Sequence, residues 1–337
     1  MSLLSNLLFV FFSVATLIVI LSPIAQMMRL VDIPNDRKKH GEPVPMVGGL
    51  AIYIALVSVI FISSFGDQVE WLIFSAGILV ITGLLDDIFD LSFKVKFLSQ
   101  ILAALVMIFG GSVRIESIGI GHDAVDDFVE LFSIPITIFA VVGLTNAFNF
   151  VDGLDGLASG QVLLGLITMA VALMVSQGAI HAVEWFSVVM TAVFVFWLVN
   201  MSFTPVKRVF LGDAGSLLLG FVMAWTLIFQ TQKSQAPLNP VLALWCVTIP
   251  VLDTIVVIVR RLKNHQSPFV SDRSHLHHVL LSIGLSPGKS LFVILVMSGS
   301  FNAVGIWTAL MFSPLASLTI FLAILFILTL AVFKADF

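Results

Sequence analysis

The chain has 337 residues, of which 59 % are hydrophobic and only 11 % are charged. An average soluble domain is about 45–50 % apolar and about 25 % charged, so a single soluble core is excluded and much of the surface must face lipid. The net charge of −4 is small, and we expect no nucleic-acid partner. A single cysteine, Cys246, excludes a disulfide framework and a thiolate metal site.

Apolar runs long enough to cross a bilayer recur along the whole chain. Since a spanning helix needs roughly 20 apolar residues, we predict about eleven transmembrane helices. Their approximate limits are 4–28, 47–65, 69–85, 95–112, 130–148, 156–177, 184–203, 214–232, 239–259, 289–311 and 314–333. The runs are continuously apolar, whereas the strands of a lipid-facing β-barrel alternate. The predicted fold is therefore an all-α integral membrane protein, with one polytopic catalytic domain over residues 1–337.

Lys and Arg residues indicate the orientation, because cytoplasmic loops are enriched in them. When the loops alternate between the two sides, every Lys and Arg except Arg114 and Lys233 falls in one set. We predict that this set is cytoplasmic, with the N-terminus outside and the C-terminus in the cytoplasm.

Three carboxylates end the third predicted span in the segment GLLDDIFD, where Asp90 follows Asp86 and Asp87 by one helical turn. Residues three and four apart share a helix face, so these carboxylates would repel one another unless a cation is near. A solvated helix end is the alternative. The absence of an interleaved Lys or Arg disfavours it.

A polar stripe follows in the segment NAFNFVDGLDGLASG, where Asn146, Asn149, Asp152 and Asp155 are each three residues apart. We predict that these residues share one face of a helix near the membrane surface. Ionisable residues at such depth are costly and usually line a cavity. The intervening glycines allow a bend or a close backbone approach, and an ordinary turn is the alternative.

The segment FLGDAGS opens the eighth predicted span and contains Phe210 and Asp213. Asp213 is predicted to lie at a helix N-terminus, where a plain N-cap is an alternative function. Lys207 and Arg208 just upstream suit phosphate binding, or serve only as topology charges.

The longest predicted cytoplasmic loop, about residues 260–289, is rich in basic residues and histidines. They include Arg260, Arg261, Lys263, His265, Arg273, His275, His277 and His278. Three clustered histidines suggest zinc, but the spacing lacks the i, i+4 pair of a metalloprotease helix and no cysteine supports a zinc site. Basic and imidazole groups suit an anionic sugar phosphate equally well.

The first predicted cytoplasmic loop, DIPNDRKKHGEPVPMVGG, has prolines and glycines that favour an ordered turn over a helix. Its basic residues, Lys39 among them, either cover a lipid phosphate as a flap or only set the topology.

All of these polar segments alternate to the cytoplasmic side, so we expect one active-site cleft that faces the cytoplasm. Hard oxygen ligands beside cations are typical of a magnesium–diphosphate site, with Mn²⁺ as the alternative ion. A site at the membrane surface also gives access to both a water-soluble nucleotide and a lipid head group.

The motifs DDIFD, NAFNFVDGLDGLA, FLGDAGS and SHLHH, with PMVGG after the first span, occur together in this order. In these motifs the chain resembles the polyprenyl-phosphate N-acetylhexosamine-1-phosphate transferases over almost its whole length. It is most similar to the bacterial undecaprenyl-phosphate N-acetylglucosamine branch. The sibling peptidoglycan branch usually carries three consecutive histidines and an acidic residue where this chain has His275-Leu276-His277-His278-Val279.

The resemblance implies roles for individual residues. Asp213 and Asn149 would be ligands of Mg²⁺. The catalytic carboxylates would be Asp86 and Asp87 beside the lipid phosphate, one of them as base, with Asp90, and Asp152 and Asp155 lining the diphosphate or nucleotide pocket. The substrate-binding residues would be Phe210 near the uracil, Asn146, Lys39, and a sugar-phosphate group of Arg260, Arg261, His275, His277 and His278.

The implied reaction transfers N-acetylglucosamine 1-phosphate from UDP-N-acetylglucosamine to undecaprenyl phosphate in the bacterial inner membrane. It releases UMP and initiates O-antigen or enterobacterial common antigen synthesis. The alternatives are the phospho-N-acetylmuramoyl-pentapeptide transferase of peptidoglycan synthesis and a transporter. Transporters often have internal repeats with sites near the bilayer midplane, whereas here Asp253 is the only acid deep in a span and no repeat is visible. Homodimer formation and a two-step route through an aspartyl phosphate remain open.

Overall fold

The computed structural model describes residues 2–33, 43–177, 184–232, 238–263, 265 and 275–334. Almost all of the regular structure in this part of the chain is helical. The helices are α1 (Leu3–Met27), α2 (Gly48–Ile62), α3 (Asp67–Phe89), α4 (Phe93–Gly111), α5 (Asp123–Leu131), α6 (Ser133–Val151), α7 (Leu157–Gln177), α8 (Glu184–Asn200), α9 (Gly212–Thr231), α10 (Pro240–Cys246), α11 (Thr248–Lys263), α12 (Leu276–Ser282), α13 (Pro287–Met311) and α14 (Pro314–Lys334). Two short strands, β1 (Val31–Asp32) and β2 (Val44–Pro45), pair antiparallel.

Each predicted span coincides with a helix or with a pair of helices. Among the described residues, seven helices are long and apolar enough to cross a membrane: α1, α3, α4, α6, α7, α9 and α13. Helices α10 and α11 together make an eighth candidate span, while α2, α8 and α14 are apolar over shorter lengths. The protein is thus an all-α integral membrane protein. The count of eleven crossings and the orientation stay predictions.

The eighth candidate span is bent by 74° where α10 ends and α11 begins. The two prolines that interrupt its hydropathy both lie in the first turn of a helix, Pro240 in α10 and Pro250 in α11. The first-turn N–H groups of a helix have no partner within that helix, so proline costs no hydrogen bond there. The prolines therefore fit a broken helix better than one continuous span.

The chain forms two compact units. The first comprises the described residues of 1–112 and 180–222, which contain α1 to α4, α8 and the start of α9. Within it, α3 packs on α4, α1 packs on α2 and α8, and α2 packs on α3 and α8. Asn6 of α1 accepts a hydrogen bond of 2.7 Å from Ser63, the C-cap residue of α2.

The second unit comprises the described residues of 113–179 and 223–337. Helix α13 contacts α7, α10, α11, α12 and α14, and α11 also packs on α6. Buried polar side chains connect these helices: Gln161 of α7 bonds Ser298 of α13 at 2.7 Å, and the Trp245 indole donates to Ser317 of α14 at 3.1 Å. Such interhelical hydrogen bonds help membrane helices associate, because lipid removes the usual hydrophobic driving force between them.

Three glycines allow α2, α3 and α9 to approach closely in the first unit. A Cβ atom on Gly49 of α2 would lie 2.2 Å from the Cα atom of Gly215 in α9. A Cβ atom on Gly83 of α3 would lie 2.3 Å from the Cα atom of Ala214. In both cases the added atom would meet backbone, which cannot rotate away. The first turn of α9 can therefore pack against α2 and α3 only where these helices have glycine.

We predict that Gly83→Ala destabilises the protein, because the added methyl group must push α3 away from α9. Overpacking of this kind costs about 1–3 kcal/mol in well-packed cores. Thermal unfolding in detergent should show a lower midpoint for this variant. The matched control is Gly143→Ala on α6, where a Cβ atom would meet nothing within 4 Å and where alanine favours the helix. Equal midpoints for the two variants would contradict the prediction.

Candidate active site

Two of the sequence motifs lie side by side in the first unit and place the start of α9. The Phe210 N–H donates to the Pro45 carbonyl at 2.8 Å, and the Gly48 N–H donates to the Phe210 carbonyl at 2.9 Å. The Gly49 N–H donates to the Leu211 carbonyl at 3.0 Å. PMVGG and FLGD therefore form a short hydrogen-bonded ladder, and Asp213 follows it in the first turn of α9, as predicted.

The Asp87 carboxylate binds the N-terminus of α9 from the neighbouring helix α3. Its Oδ1 atom accepts the Asp213 N–H at 2.9 Å, and its Oδ2 atom lies 3.5 Å from the Ala214 N–H. These N–H groups have no acceptor within α9, and an anion is also favoured by the helix dipole there. Gly212 has a φ of 72°, and a Cβ atom on it would lie 2.7 Å from Asp87 Oδ2, so this position requires glycine.

Asp86, the neighbouring carboxylate, is 6 % exposed and is fully hydrogen-bonded. Its Oδ1 atom accepts the Leu91 N–H at 2.8 Å, and its Oδ2 atom lies 2.7 Å from the Lys96 ammonium group of α4. Its side chain also lies beside that of Asp213. The structure thus brings Asp86, Asp87 and Asp213 together, as the sequence predicted, and adds Lys96. The sequence pattern gives Lys96 no role beyond that of a cytoplasmic topology charge.

Asp90 does not continue the helical face of the other two carboxylates, so that part of the prediction is wrong. Helix α3 ends at Phe89, and Asp90 is an exposed C-cap residue with a φ of 51°. Its N–H donates to the Asp86 carbonyl, which closes the last turn. Phe210, the predicted uracil neighbour, lies with its ring centroid 5.3 Å from the Arg208 guanidinium carbon, a cation–π contact.

The predicted polar stripe in the second unit is only half helical. Asn146 and Asn149 lie on α6, but this helix ends at Val151 and Asp152 is its C-cap residue. Asp155 lies in the turn before α7, where Gly156 has a φ of 78°. The expectation that four residues share one helix face is therefore wrong, because the Asp-Gly sequence ends the helix. The role of Asn149 as a second metal ligand stays a prediction.

The histidines of the second unit gather around α12. His275 is the N-cap residue of α12, and its Nδ1 atom lies 2.8 Å from Asp253 Oδ2 of α11. The rings of His275 and His277 are nearly parallel, with centroids 5.9 Å apart, and the His277 and His278 centroids are 4.2 Å apart. In the sequence, Asp253 is distinguished only as the one acid deep in a predicted span. Its place in a span, close to a histidine-rich loop, was the signal of a polar partner.

His277 is buried against the backbone of the Asp-Gly turn. It is 3 % exposed, and a Cβ atom on Gly153 would lie 2.1 Å from its Nε2 atom. Within the described residues this Nε2 atom has no hydrogen-bond partner. Burial, together with the charges of His278 and His275, lowers the pKa of His277 to about 4. The imidazole is consequently neutral at physiological pH.

The remaining predicted residues lie at the end of α11 or outside the described part of the chain. Arg260 and Arg261 are in the last turn of α11, where Arg261 is 3 % exposed. Lys39 and Arg273 lie outside the described residues. No group of three His, Cys, Asp or Glu side chains in the described part of the chain has the geometry to hold a metal ion, which gives the zinc alternative no support.

Comparison with known proteins gives one family match and several long relatives. Residues 69–231 match glycosyl transferase family 4. The undecaprenyl-phosphate α-N-acetylglucosaminyl 1-phosphate transferase of Yersinia pestis is 32 % identical over 89 % of this chain and 82 % of its own length. The probable undecaprenyl-phosphate N-acetylglucosaminyl 1-phosphate transferase of Bacillus subtilis is 34 % identical over 94 % of this chain and 87 % of its own length. The Escherichia coli K12 protein with the same name as the Yersinia relative is 32 % identical over 84 % and 77 %.

The chain belongs to glycosyl transferase family 4. The resemblance drawn from the sequence motifs is thereby confirmed. The residues matched to glycosyl transferase family 4 run from α3 into α9 and include both the carboxylate group of the first unit and the Asp-Gly turn of the second.

We predict that His277 makes the folded protein lose stability as the pH falls from about 6.5 towards 4. In this window the unfolded chain binds a proton at residue 277 and the folded protein does not, so acid favours unfolding. The thermal unfolding midpoint, measured from pH 7 to 4.5, should fall more steeply for the wild type than for His277→Gln. His122→Gln, which changes the exposed residue before α5, should keep the wild-type slope. Identical slopes for the wild type and His277→Gln would refute the assignment.

Proposed function

We propose that this protein transfers N-acetylglucosamine 1-phosphate from UDP-N-acetylglucosamine to undecaprenyl phosphate, releasing UMP. The proposal is supported by relatives that carry this activity in their names and are 32 % and 34 % identical over most of both chains. The observation that carries it in the structure is the group formed by Asp213, Asp86, Asp87 and Lys96 at the start of a membrane helix. The peptidoglycan enzyme and the transporter have no such support, and we favour neither.

In the proposed reaction, a phosphate oxygen of the lipid attacks the β-phosphorus of the nucleotide sugar. The bond that breaks is the phosphoanhydride bond, so the anomeric carbon of the sugar keeps its configuration. A phosphate monoester has its second pKa near 6, and most of the attacking groups are therefore already dianions at neutral pH. Positioning and charge neutralisation then matter more than proton removal, as in other phosphoryl transfers.

The hydrogen bonds of Asp86 and Asp87 favour positioning roles for both carboxylates. All four of their side-chain oxygens face an N–H or ammonium donor, so removing a substrate proton would compete with existing bonds. The role of base stays a prediction for either residue. Lys96, paired with Asp86, provides the positive charge beside this group, and we propose that it faces substrate phosphate.

The donor set around Asp213 fits Mg²⁺ or Mn²⁺. The Asp213 carboxylate lies close to the carboxylates of Asp86 and Asp87, and a cation there would offset their mutual repulsion. Mg²⁺ is usually held by one or two carboxylates together with substrate phosphates, so a cluster of three protein ligands is not needed. When bound, the ion would neutralise charge on the diphosphate. Asp213 is the residue we propose to hold it.

We propose that the histidines at α12 bind the sugar phosphate. Imidazole groups can donate hydrogen bonds to phosphate and sugar oxygens. His275 is held at a defined place by Asp253, and His277 and His278 pack beside it.

Transfer of radiolabel from UDP-N-acetylglucosamine to extracted lipid tests the function directly. The wild type should label undecaprenyl phosphate, EDTA should stop the reaction, and added Mg²⁺ should restore it. We predict that Asp213→Asn lowers the rate by at least about 100-fold, the scale expected when one transition-state-stabilising group is lost.

The control for that assay is Asp127→Asn, an equal change of charge on the exposed face of α5, which should keep the wild-type rate. Full activity of Asp213→Asn would refute the assignment of Asp213 as the metal ligand. Transfer from UDP-N-acetylmuramoyl-pentapeptide instead of UDP-N-acetylglucosamine would replace the proposed substrate with that of the peptidoglycan enzyme.

We further propose a location in the bacterial inner membrane, with eleven crossings, an outer N-terminus and a cytoplasmic active site. The proposal is supported by the asymmetric distribution of Lys and Arg between alternate loops. It is also supported by the apolar helices, which occur at every predicted span.

Reporter fusions check this topology. A green fluorescent protein fused after residue 334 should fluoresce, because it folds in the cytoplasm, and alkaline phosphatase at the same place should be inactive. Fusions made within residues 119–122, between α4 and α5, should give the opposite pair of results. The same result at both positions would show that these two segments lie on the same side of the membrane and would overturn the proposed topology.

A further inference from the structure

Asp253 is a buried carboxylate whose two oxygens are both used at the start of α12. Its Oδ2 atom lies 2.8 Å from His275 Nδ1, and its Oδ1 atom accepts the Leu276 N–H at 2.7 Å. The side chains of Asp253 and His275 are only 6 % and 8 % exposed. A buried carboxylate is costly unless it is hydrogen-bonded, so this pairing accounts for an acid within the eighth candidate span.

The contact determines the state of the imidazole. An ionised carboxylate only accepts hydrogen bonds, so Nδ1 of His275 must be the donor. The proton on Nδ1 leaves Nε2 as the nitrogen that can engage a ligand, because the partner of one ring nitrogen sets the tautomer of the other. Rotation of the ring is also restricted, since the Phe150 and His277 rings lie 5.5 and 5.9 Å away.

We propose that Asp253 is a positioning residue that acts through His275, whose tautomer and ring orientation it sets for binding the sugar phosphate. This inference rests on the proposed function of the α12 histidines. The bond from Oδ1 to the Leu276 N–H gives Asp253 a second task, because it holds the first turn of α12 and hence the backbone of His275 in place.

Asp253→Asn separates these two tasks. The amide oxygen still accepts the Leu276 N–H, but the amide NH₂ group now faces His275 and donates to Nδ1. The imidazole must then carry its proton on Nε2, which reverses the tautomer while changing almost no volume. Thr254→Val is the matched control, because among the described residues the Thr254 hydroxyl bonds only the Pro250 carbonyl of its own helix, α11.

A double-mutant cycle on labelled-sugar transfer tests whether Asp253 acts through His275. Asp253→Asn should lower kcat/KM for UDP-N-acetylglucosamine about 10- to 100-fold, as is typical for a residue that orients a functional histidine. In a His275→Ala background the same change should alter kcat/KM by less than about 2-fold, because the group it orients is gone. Thr254→Val should leave kcat/KM unchanged in each background, equal to that of the wild type in the first and to that of His275→Ala in the second. Equal losses from Asp253→Asn with and without His275 would overturn the inference.

Histidine ¹⁵N solid-state NMR in lipid gives a readout that does not depend on the reaction. The signal of His275 is identified by its loss in His275→Ala. It should show a protonated Nδ1 in the wild type and a protonated Nε2 in Asp253→Asn. A wild-type spectrum with a bare Nδ1 would refute the inference even if the Asn variant does not fold. A wild type with the expected spectrum that transfers no sugar phosphate would instead refute the proposed function and leave the positioning of His275 established.

Discussion

The N-terminus of α9 is the element on which the first unit depends. A helix that starts inside a membrane protein must find acceptors for its first N–H groups, since neither lipid nor apolar side chains supply them. Asp87 supplies one at 2.9 Å and lies near a second, and the ladder between residues 45–49 and 210–211 fixes the approach. Once α9 starts there, Asp213 must lie beside Asp86 and Lys96, and the local chemistry follows from a requirement of folding.

Several of the acidic residues likewise stabilise the ends of helices. Asp86 closes the end of α3 through the Leu91 N–H and pairs with Lys96, while Asp253 holds α12 in the second unit. Phosphoryl transfer suits such an arrangement, because it needs accurately placed charges more than reactive side chains. Truncation of Asp86 or Asp253 to alanine would therefore remove a support of the backbone as well as a charge.

Hydropathy predicted the helices well, because a segment that crosses lipid must form all of its backbone hydrogen bonds within itself, as a helix does. The helix ends were harder. The sequence pattern places Asp90 and Asp155 on helices, but both helices end before these residues. A residue in the left-handed conformation, or an Asp-Gly turn, can end a helix without any change in the hydropathy of the sequence. Lys96 and Asp253 received no site role because their partners, Asp86 and His275, are brought to them only by the folded chain.

Because Gly153 packs against His277, the backbone of the Asp-Gly turn limits the position of the imidazole ring. Backbone, not a side chain, faces the buried Nε2 atom, so the width available to the ring is set by the path of the main chain. A single methyl group at residue 153 would act as a wedge that moves the imidazole while leaving every charge and every hydrogen-bonding group in the protein unchanged. Steric and electrostatic contributions of one histidine can thus be separated at a neighbouring residue.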